Sequence, residues 1–489
     1  ICSFNCNNQL ATMVKIAVVS SLIAAAEAGT LAVTWSDCGA KHAKVTDLQP
    51  SSVKIGAKET LKGTGEVDED VTSAKFTATI KAAGATIATC SGDGTADIEC
   101  KLPLGAGSVT LDALSFPIKK GTVAIPVSVK TSSFIPASLA KVDIHVAATD
   151  QNGEDVVCLD VHTSKAMQLE EIAERVNSLQ TTWKAQAPAK FADVEDVKAH
   201  LGTVLVGDKG YVPMDKEVSD VPNVAIPADF DVRTAFPDCA EISGNIRDQS
   251  SCGSCWAFGS TEAFNDRHCI ATGSKVKLST EDTTANCGFW QCQSQGCNGG
   301  QPGRAWNWFK THGVVTGGDY FDIGAGDTCA PYSLAPCAHH VPATSKYPVC
   351  PSSEYSTPSV SECSESTYGT DYATDKVKAT DAYSLNGVQA IQADILQYGS
   401  ATAAFTVYDD FPTYKSGVYK KTSSNALGGH AIKMLGWGTE NGEDYWLIAN
   451  SWNEMWGDAG TFKIARGINE CGIEGQVSAG RAGSTDIVA

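Results

Sequence analysis

The sequence predicts a multidomain chain with an all-β sandwich at its N-terminus and a larger, cysteine-rich unit behind it. Three observations carry this. At 489 residues the chain is about three ordinary domains long. Short runs between Trp35 and His162 alternate apolar and polar residues with a period of two, the mark of half-buried strands. The 18 cysteines fall on either side of a stretch, 159–238, that has none, and their density fits an oxidising compartment and a disulfide framework. A formal charge of -19 repels a phosphate backbone and excludes nucleic-acid binding as the main role.

Residues 13–28 read as a secretory signal peptide. Met13-Val14-Lys15 is a short basic start, Ile16 to Ala26 an apolar run, and Ala26-Glu27-Ala28 supplies the small residues of a cleavage site. The run is too short to span a bilayer, and no later stretch qualifies, so no transmembrane segment is expected. With translation starting at Met13, residues 1–12 are upstream sequence without function, and Cys2 and Cys6 leave sixteen cysteines to place.

Residues 29–163 form the β module. Its clearest alternations are Phe76, Ala78, Ile80; Val109, Leu111, Ala113; Val123, Ile125, Val127, Val129; and Val142, Ile144, Val146. Turns at Gly92-Asp93-Gly94, Gly105-Ala106-Gly107 and Asn152-Gly153 separate them, which favours an antiparallel sandwich. Pro126 sits inside the best run and assigns that strand to an edge or a bulge. Cys90 and Cys100 flank a glycine-rich turn and can staple a hairpin, while Cys38 and Cys158 can close the module's two ends. Asp37-Cys38-Gly39, the Cys90/Cys100 pair, Ile98-Glu99-Cys100-Lys101-Leu102-Pro103 and Cys158 resemble the ML lipid-recognition domains, the group of the Niemann-Pick type sterol carriers. The resemblance implies an immunoglobulin-like sandwich holding a lipid or sterol between its sheets. A filled sandwich used for adhesion or spacing is the other reading.

Residues 164–225 change character. Met167, Leu169, Ile172, Val176, Leu179 and Trp183 have helical spacing, which predicts an amphipathic helix over Ser164 to Lys184 of about five turns. Loop-like sequence follows through Gly202, Gly210, Pro213 and Val221-Pro222-Asn223. A cysteine-free stretch between two disulfide-bearing ones reads as a linker or a removable pro-segment.

The chemistry centres on Gln249-Ser250-Ser251-Cys252-Gly253-Ser254-Cys255-Trp256-Ala257-Phe258. Small residues before an apolar run predict a loop feeding a buried helix with Cys255 at its N-terminus, where the helix dipole and free amides favour a thiolate. Downstream, Gly428-Gly429-His430 offers an imidazole and Asn450-Ser451-Trp452 an amide to orient it. Cys255 and His430 then make an activated nucleophile with Asn450 fixing the tautomer, and Gln249 with the Cys255 N–H can hold an oxyanion. Singly, such residues are usually core or surface; in this order, with these flanks, they are not coincidence. Zinc is not expected, because the Cys252/Cys255 pair has no matching second pair, and no cofactor is implied.

Cys252-Gly253-Ser254-Cys255-Trp256 resembles the signature of papain-like cysteine peptidases, and the likeness extends over 226–480, leaving 481–489 as a tail. It implies an α+β, two-lobed peptidase. Asp229 to Arg233, Ile246-Arg247-Asp248-Gln249, Cys297-Asn298-Gly299-Gly300 and Gly436-Trp437-Gly438 look like the cathepsin B branch, as does the insertion Cys329 to His340. In that branch the insertion is an occluding loop whose paired histidines, here His339 and His340, receive a substrate's C-terminal carboxylate, making the enzyme a peptidyl-dipeptidase as well as an endopeptidase. Gly299, Gly300, Trp452 and Gln476 take substrate-binding positions by the same resemblance. Residues 164–225 then resemble the cathepsin B propeptide, which runs through the cleft in reverse until removed at low pH, with Thr181-Thr182-Trp183 on its helix.

The resemblance also implies disulfides Cys239–Cys269, Cys252–Cys297, Cys287–Cys292, Cys329–Cys363 and Cys337–Cys350, with Cys471 unpaired. Two departures bear on specificity. The resemblance implies a loop latched by two salt bridges: Asp248 and His339 can form one, while at the other Met455 replaces the family's acid and Lys346 lies near the arginine position, with Glu454 beside it. A loosely held loop favours endopeptidase action. Gln476 replaces the family's glutamate in the pocket for the second residue before the cleaved bond, which weakens a preference for arginine. The partners implied are protein and peptide substrates, cystatin-like inhibitors and a lipid or sterol in the β module. The location implied is secreted, or the lysosome or vacuole through the secretory pathway. The alternative function is a lipid-binding protein with a vestigial peptidase.

Overall fold

A computed structural model describes residues 30–50, 52–133, 135, 137–165, 169–179, 181–186, 194–219, 224–337, 344–348 and 360–483. The expected upstream sequence and signal peptide, 1–28, lie outside these residues. The chain divides into two compact units at 166/167.

The first unit is an antiparallel sandwich. One sheet runs, in spatial order, Ser52–Lys54, Thr30–Asp37, Asp155–Lys165, Asp143–Asp150, Ala74–Ala82 and Ala85–Asp93. The other runs Ala43–Gln49, Lys58–Val67, Gly121–Thr131, Gly107–Leu111 and Ile98–Lys101. Strand Gly121–Thr131, which carries Pro126, is central in its sheet rather than at an edge. The register explains it: Gly107–Leu111 pairs only from Thr131 back to Val127, so at Pro126 that neighbour has already ended and no ladder donor is missed. Cys90 and Cys100 are disulfide-bonded, but their strands belong to different sheets, so the bridge ties the two sheets instead of stapling a hairpin. Cys38–Cys158 joins neighbouring strands of one sheet.

Alternation turns apolar residues inward from both sheets, yet they meet in three separate clusters, around Ile80 and Val142, around Val33 and Leu61, and around Phe76 and Val156. Between them lies a cavity of about 270 Å3 walled by Leu61, Phe76, Leu111, Ile125, Ile144 and Leu159 among others. The interior is therefore not filled.

The second unit is α+β with two cores. A sheet of ten strands contains Tyr414–Tyr419, Thr461–Ala465, Glu443–Ala449, Ala426–Glu440, Ala401–Tyr408, Val477–Ala482 and Ala379–Leu385 in that spatial order. Its core gathers Phe405, Phe411, Trp446 and Phe462. A second core gathers Trp256, Phe264, Trp306 and Phe309 around helix α1, Cys255–Thr272. Helix α1 is buried almost all round, including Glu262, Asp266 and Arg267. Arg267 donates to the Ser400 and Gly480 carbonyls and pairs with Asp394, so its burial is compensated by bonds to the sheet side. At Gly259 a Cβ would come within 3.0–3.1 Å of the Ile432 backbone. This glycine lets α1 lie against strand Ala426–Glu440, which carries His430.

Residues 167–219 belong to this second unit. The predicted five-turn helix is shorter: it covers only Leu169–Ser178, while Ser164 and Lys165 finish a strand of the first unit and Trp183–Ala185 form another strand. The helix stops because Trp183 finds better partners in the sheet. Its indole N–H donates to the Lys420 carbonyl at 2.9 Å, its ring lies 5.0 Å from that of Tyr419, and its strand pairs with Tyr414–Tyr419. Glu217–Val218 adds a strand at the sheet's opposite end. The last strand, Val477–Ala482, continues into the stretch expected to be tail.

Candidate active site

The two cores meet at Cys255 and His430. Cys255 is the first residue of α1 and is fully buried; His430 comes from strand Ala426–Glu440 and Asn450 from the end of Glu443–Ala449. His430 Nε2 lies 2.7 Å from Asn450 Oδ1, so it is the nitrogen that carries a proton. The same Asn450 oxygen accepts the Ser451 N–H at 2.9 Å, which fixes the amide's orientation. The Trp452 ring covers this pair, 4.7 Å from the imidazole centroid. Burial pushes the Cys255 thiol up, but the charge of His430 and the neighbouring Thr203 hydroxyl outweigh it and bring the thiol down to about 7.

Gln249 completes the centre from the loop before α1. Its Oε1 accepts the Ser451 hydroxyl at 2.7 Å, which turns its amino group toward the Cys252 carbonyl at 2.7 Å and the His200 carbonyl at 3.0 Å. A carbonyl oxygen of residues 167–219 thus already occupies this donor.

That segment fills the cleft. Gly202 N–H points at Cys255 Sγ from 3.4 Å, and the Thr203 hydroxyl lies 3.1 Å from it. Thr203 pairs in parallel with Gly300: Gly300 N–H donates to the Gly202 carbonyl at 2.8 Å and Val204 N–H to the Gly300 carbonyl at 3.0 Å. Opposite, Thr203 N–H donates to the Gly429 carbonyl at 3.1 Å. Leu205 is buried against Ala404 and Ala431, and Gln476 Oε1 accepts the next N–H, of Val206, at 2.8 Å. Gly202 is obligatory in this approach, since a Cβ there would stand 1.7 Å from the Gly253 carbonyl oxygen. Gly299 abuts the same segment, its Cβ position lying 2.7 Å from the Gly202 oxygen.

Disulfides Cys239–Cys269, Cys252–Cys297, Cys287–Cys292 and Cys329–Cys363 are present, and Cys337 is also disulfide-bonded. Its expected partner Cys350 lies outside the described residues, as do His339 and His340. Cys471 is a free buried thiol, and burial raises its pKa far above the ordinary value, which makes it inert. Glu454 stands next to Met455 in the chain. It pairs with Lys346 at 2.8 Å and accepts the Tyr347 hydroxyl at 2.6 Å. Both charges are about half exposed, so the pair contributes at most about 1 kcal/mol. The Tyr347 bond adds geometry more than energy.

Residue spacing gave no sign of Gly202, Thr203 and His200, which sat in sequence resembling any loop. Ser451 was visible only as the neighbour of Asn450, and its tie to Gln249 exists only in the fold.

Both units of the chain have relatives among known proteins. Residues 226–481 match the sequence model described as papain family cysteine protease, and residues 32–164 match that of the ML domain. The chain therefore belongs to the papain family, and it is a cysteine peptidase. The curated relatives include cathepsin B-like cysteine proteinase 4 of Caenorhabditis elegans, 48% identical over 321 residues, which make up 64% of this chain and 91% of the relative. The gut-specific cysteine proteinase of Caenorhabditis elegans is 44% identical over 317 residues, 64% of this chain and 90% of that one. Among solved structures, proCathepsin B S9 from Trypanosoma congolense aligns with a TM-score of 0.52 and 27% identity, covering 64% of this chain and 98% of that chain. That likeness to a proenzyme supports a zymogen form here. No helix among the described residues is long and apolar enough to cross a membrane.

Proposed function

We propose that the chain is the latent form of a cathepsin B-like peptidase in which Cys255 is the nucleophile and His430 its base and acid. The thiolate attacks the scissile carbonyl, and the Gln249 amide and Cys255 N–H hold the resulting oxyanion. His430 gives its proton to the leaving amine, Asn450 keeps the ring in register, and water releases the acyl group from the thioester. The single observation that carries this reading is geometric: Cys255 opens helix α1, and His430 is held through Nε2 by Asn450 Oδ1 at 2.7 Å, which leaves its other ring nitrogen free for the thiol. Residues 167–219 act as the pro-segment, blocking the cleft by the parallel run Gly202–Leu205, and the mature peptidase begins near Ile226. Replacing Cys255 by Ala is expected to abolish hydrolysis of a dipeptidyl substrate and labelling by a thiol-directed epoxide. Residual turnover in that variant contradicts the assignment.

Within this reading, a loop latched through Glu454 supports dipeptide release from C-termini beside endopeptidase action, with His339 and His340 as carboxylate receivers. Secretion, or delivery to an acidic compartment of the secretory pathway, follows from the signal peptide and the disulfides. The cavity of about 270 Å3 supports a lipid- or sterol-binding role for the ML domain. Its walls offer apolar side chains to a tail or ring system. Delipidated protein is expected to take up a fluorescent sterol or fatty acid in a saturable way. Tight lipid binding in a chain that turns over no peptide would favour the other reading, a lipid carrier with a vestigial peptidase.

A further inference from the structure

We propose that Tyr332 is a positioning residue for the oxyanion site, holding the Gln249 loop and the start of helix α1 in mutual register. The inference rests on the role given above to Gln249 and deepens it. The two proposed oxyanion donors come from separate pieces of chain, the Gln249 loop and the first turn of α1. Stabilising charge that develops only in the transition state requires both to be fixed in advance.

Tyr332 bridges the two pieces. Its side chain is buried, its hydroxyl donates to the Gln249 main-chain carbonyl at 3.0 Å, and the Ser254 hydroxyl lies 3.3 Å from the same oxygen. A phenol has one proton, and the carbonyl takes it, so Ser254 is the donor to the tyrosine oxygen. The chain Ser254, Tyr332, Gln249 therefore runs from the residue before the nucleophile to the proposed oxyanion donor. The tyrosine ring cannot drift. Its centroid stands 4.8 Å from that of Phe258 on α1 at an interplanar angle of 90°, and the next residue, Ser333, donates its N–H and hydroxyl to Glu281, each at 3.0 Å. Burial keeps the phenol pKa well above 10, so it remains a donor across the working range of pH. Tyr332 also lies between Cys329 and Cys337, the disulfide-bonded start of the loop insertion. It thus ties that insertion to the acyl-transfer centre.

The test uses four full-length zymogens, wild type, Tyr332→Phe, Gln249→Ala and the double variant, each matured by pepsin and titrated with a thiol-directed epoxide so that rates refer to folded enzyme. The Tyr332→Phe variant is expected to lose about tenfold in kcat, keep KM within about twofold, and bind a peptide aldehyde more weakly by the same factor as kcat. Its rate of epoxide alkylation, which forms no oxyanion at this site, is expected to stay within about twofold of wild type. In the Gln249→Ala background the same change is expected to cost less than about twofold. An equal loss in both backgrounds, or alkylation slowed as much as kcat, would assign Tyr332 a merely structural role and overturn the proposal. So would an unchanged kcat in Tyr332→Phe while Gln249→Ala is slow. A Gln249→Ala enzyme with full kcat would instead remove the oxyanion role of Gln249 itself. Should Tyr332→Phe not fold, Ser254→Ala removes the hydroxyl's other partner and carries the same test at smaller amplitude, with the same two results deciding it.

Discussion

His430, Asn450, Ser451 and Gln249 form one connected set in which Ser451 serves both ends. Its N–H holds the Asn450 oxygen and its hydroxyl holds the Gln249 oxygen. The orientation of two amides, which a side chain alone leaves free to flip, is decided by one serine. Gln476 presents a neutral oxygen beside the cluster in which Leu205 packs; with this cluster proposed as the pocket for the second residue before the cleaved bond, aliphatic residues are expected to be favoured there. Gln476→Glu adds a charge able to pair with a guanidinium, and kcat/KM for a substrate with arginine there is expected to rise about tenfold over one with leucine. Kinetics on the paired substrates check it; an unchanged ratio contradicts this account of the pocket.

The proposed pro-segment is held at its two ends by elements and at its centre by sterics. Trp183–Ala185 and Glu217–Val218 extend opposite ends of the sheet, and the Trp183 ring is buried among aromatics. Between them, Gly202 is the only residue type that fits against the Gly253 carbonyl. Gly202→Val is expected to lift this stretch from Cys255 while leaving the end strands docked. The unprocessed chain should then hydrolyse substrate at a readily measured rate, at least about tenfold above the wild-type zymogen. These elements were the least legible part of the sequence. The periodicity of Leu169 to Trp183 read as one helix because the partners that draw Trp183 away, Lys420 and Tyr419, lie more than two hundred residues downstream. Pro126 read as an edge marker because strand register is a property of the sheet and not of the strand. A spacing of ten residues between Cys90 and Cys100 fitted a hairpin and an inter-sheet bridge equally. By contrast, the motifs around Cys255, His430 and Asn450 were legible, since each local sequence builds its own helix start or strand end and the fold only brings them together.

At the scale of the whole molecule, buried carboxyls tune the peptidase unit to acid. Burial raises both Glu262, 3.7 Å from Lys433, and Glu281 from an ordinary 4.5 to about 7. Between those values the folded chain keeps protons that the unfolded chain has lost. Their contribution to stability is thus fully present below about pH 4.5, declines as pH rises to 7, and is gone above it, by roughly 3 kcal/mol for each group. Melting temperature is expected to fall by several degrees from pH 5 to pH 7.5, and Glu262→Gln should flatten that fall. A melting temperature that rises over the interval contradicts it.

The central claim is that Cys255 is a peptidase nucleophile covered by Gly202 and Thr203 until the pro-segment leaves. Its most direct test is to treat the intact chain and the acid-matured chain with a thiol-directed epoxide and locate the adduct by peptide mass spectrometry. One adduct on Cys255, formed in the matured chain and at least about a hundredfold slower in the intact one, is the predicted result. Labelling of Cys471 in place of Cys255, or of Cys255 at equal rates in both forms, would contradict it.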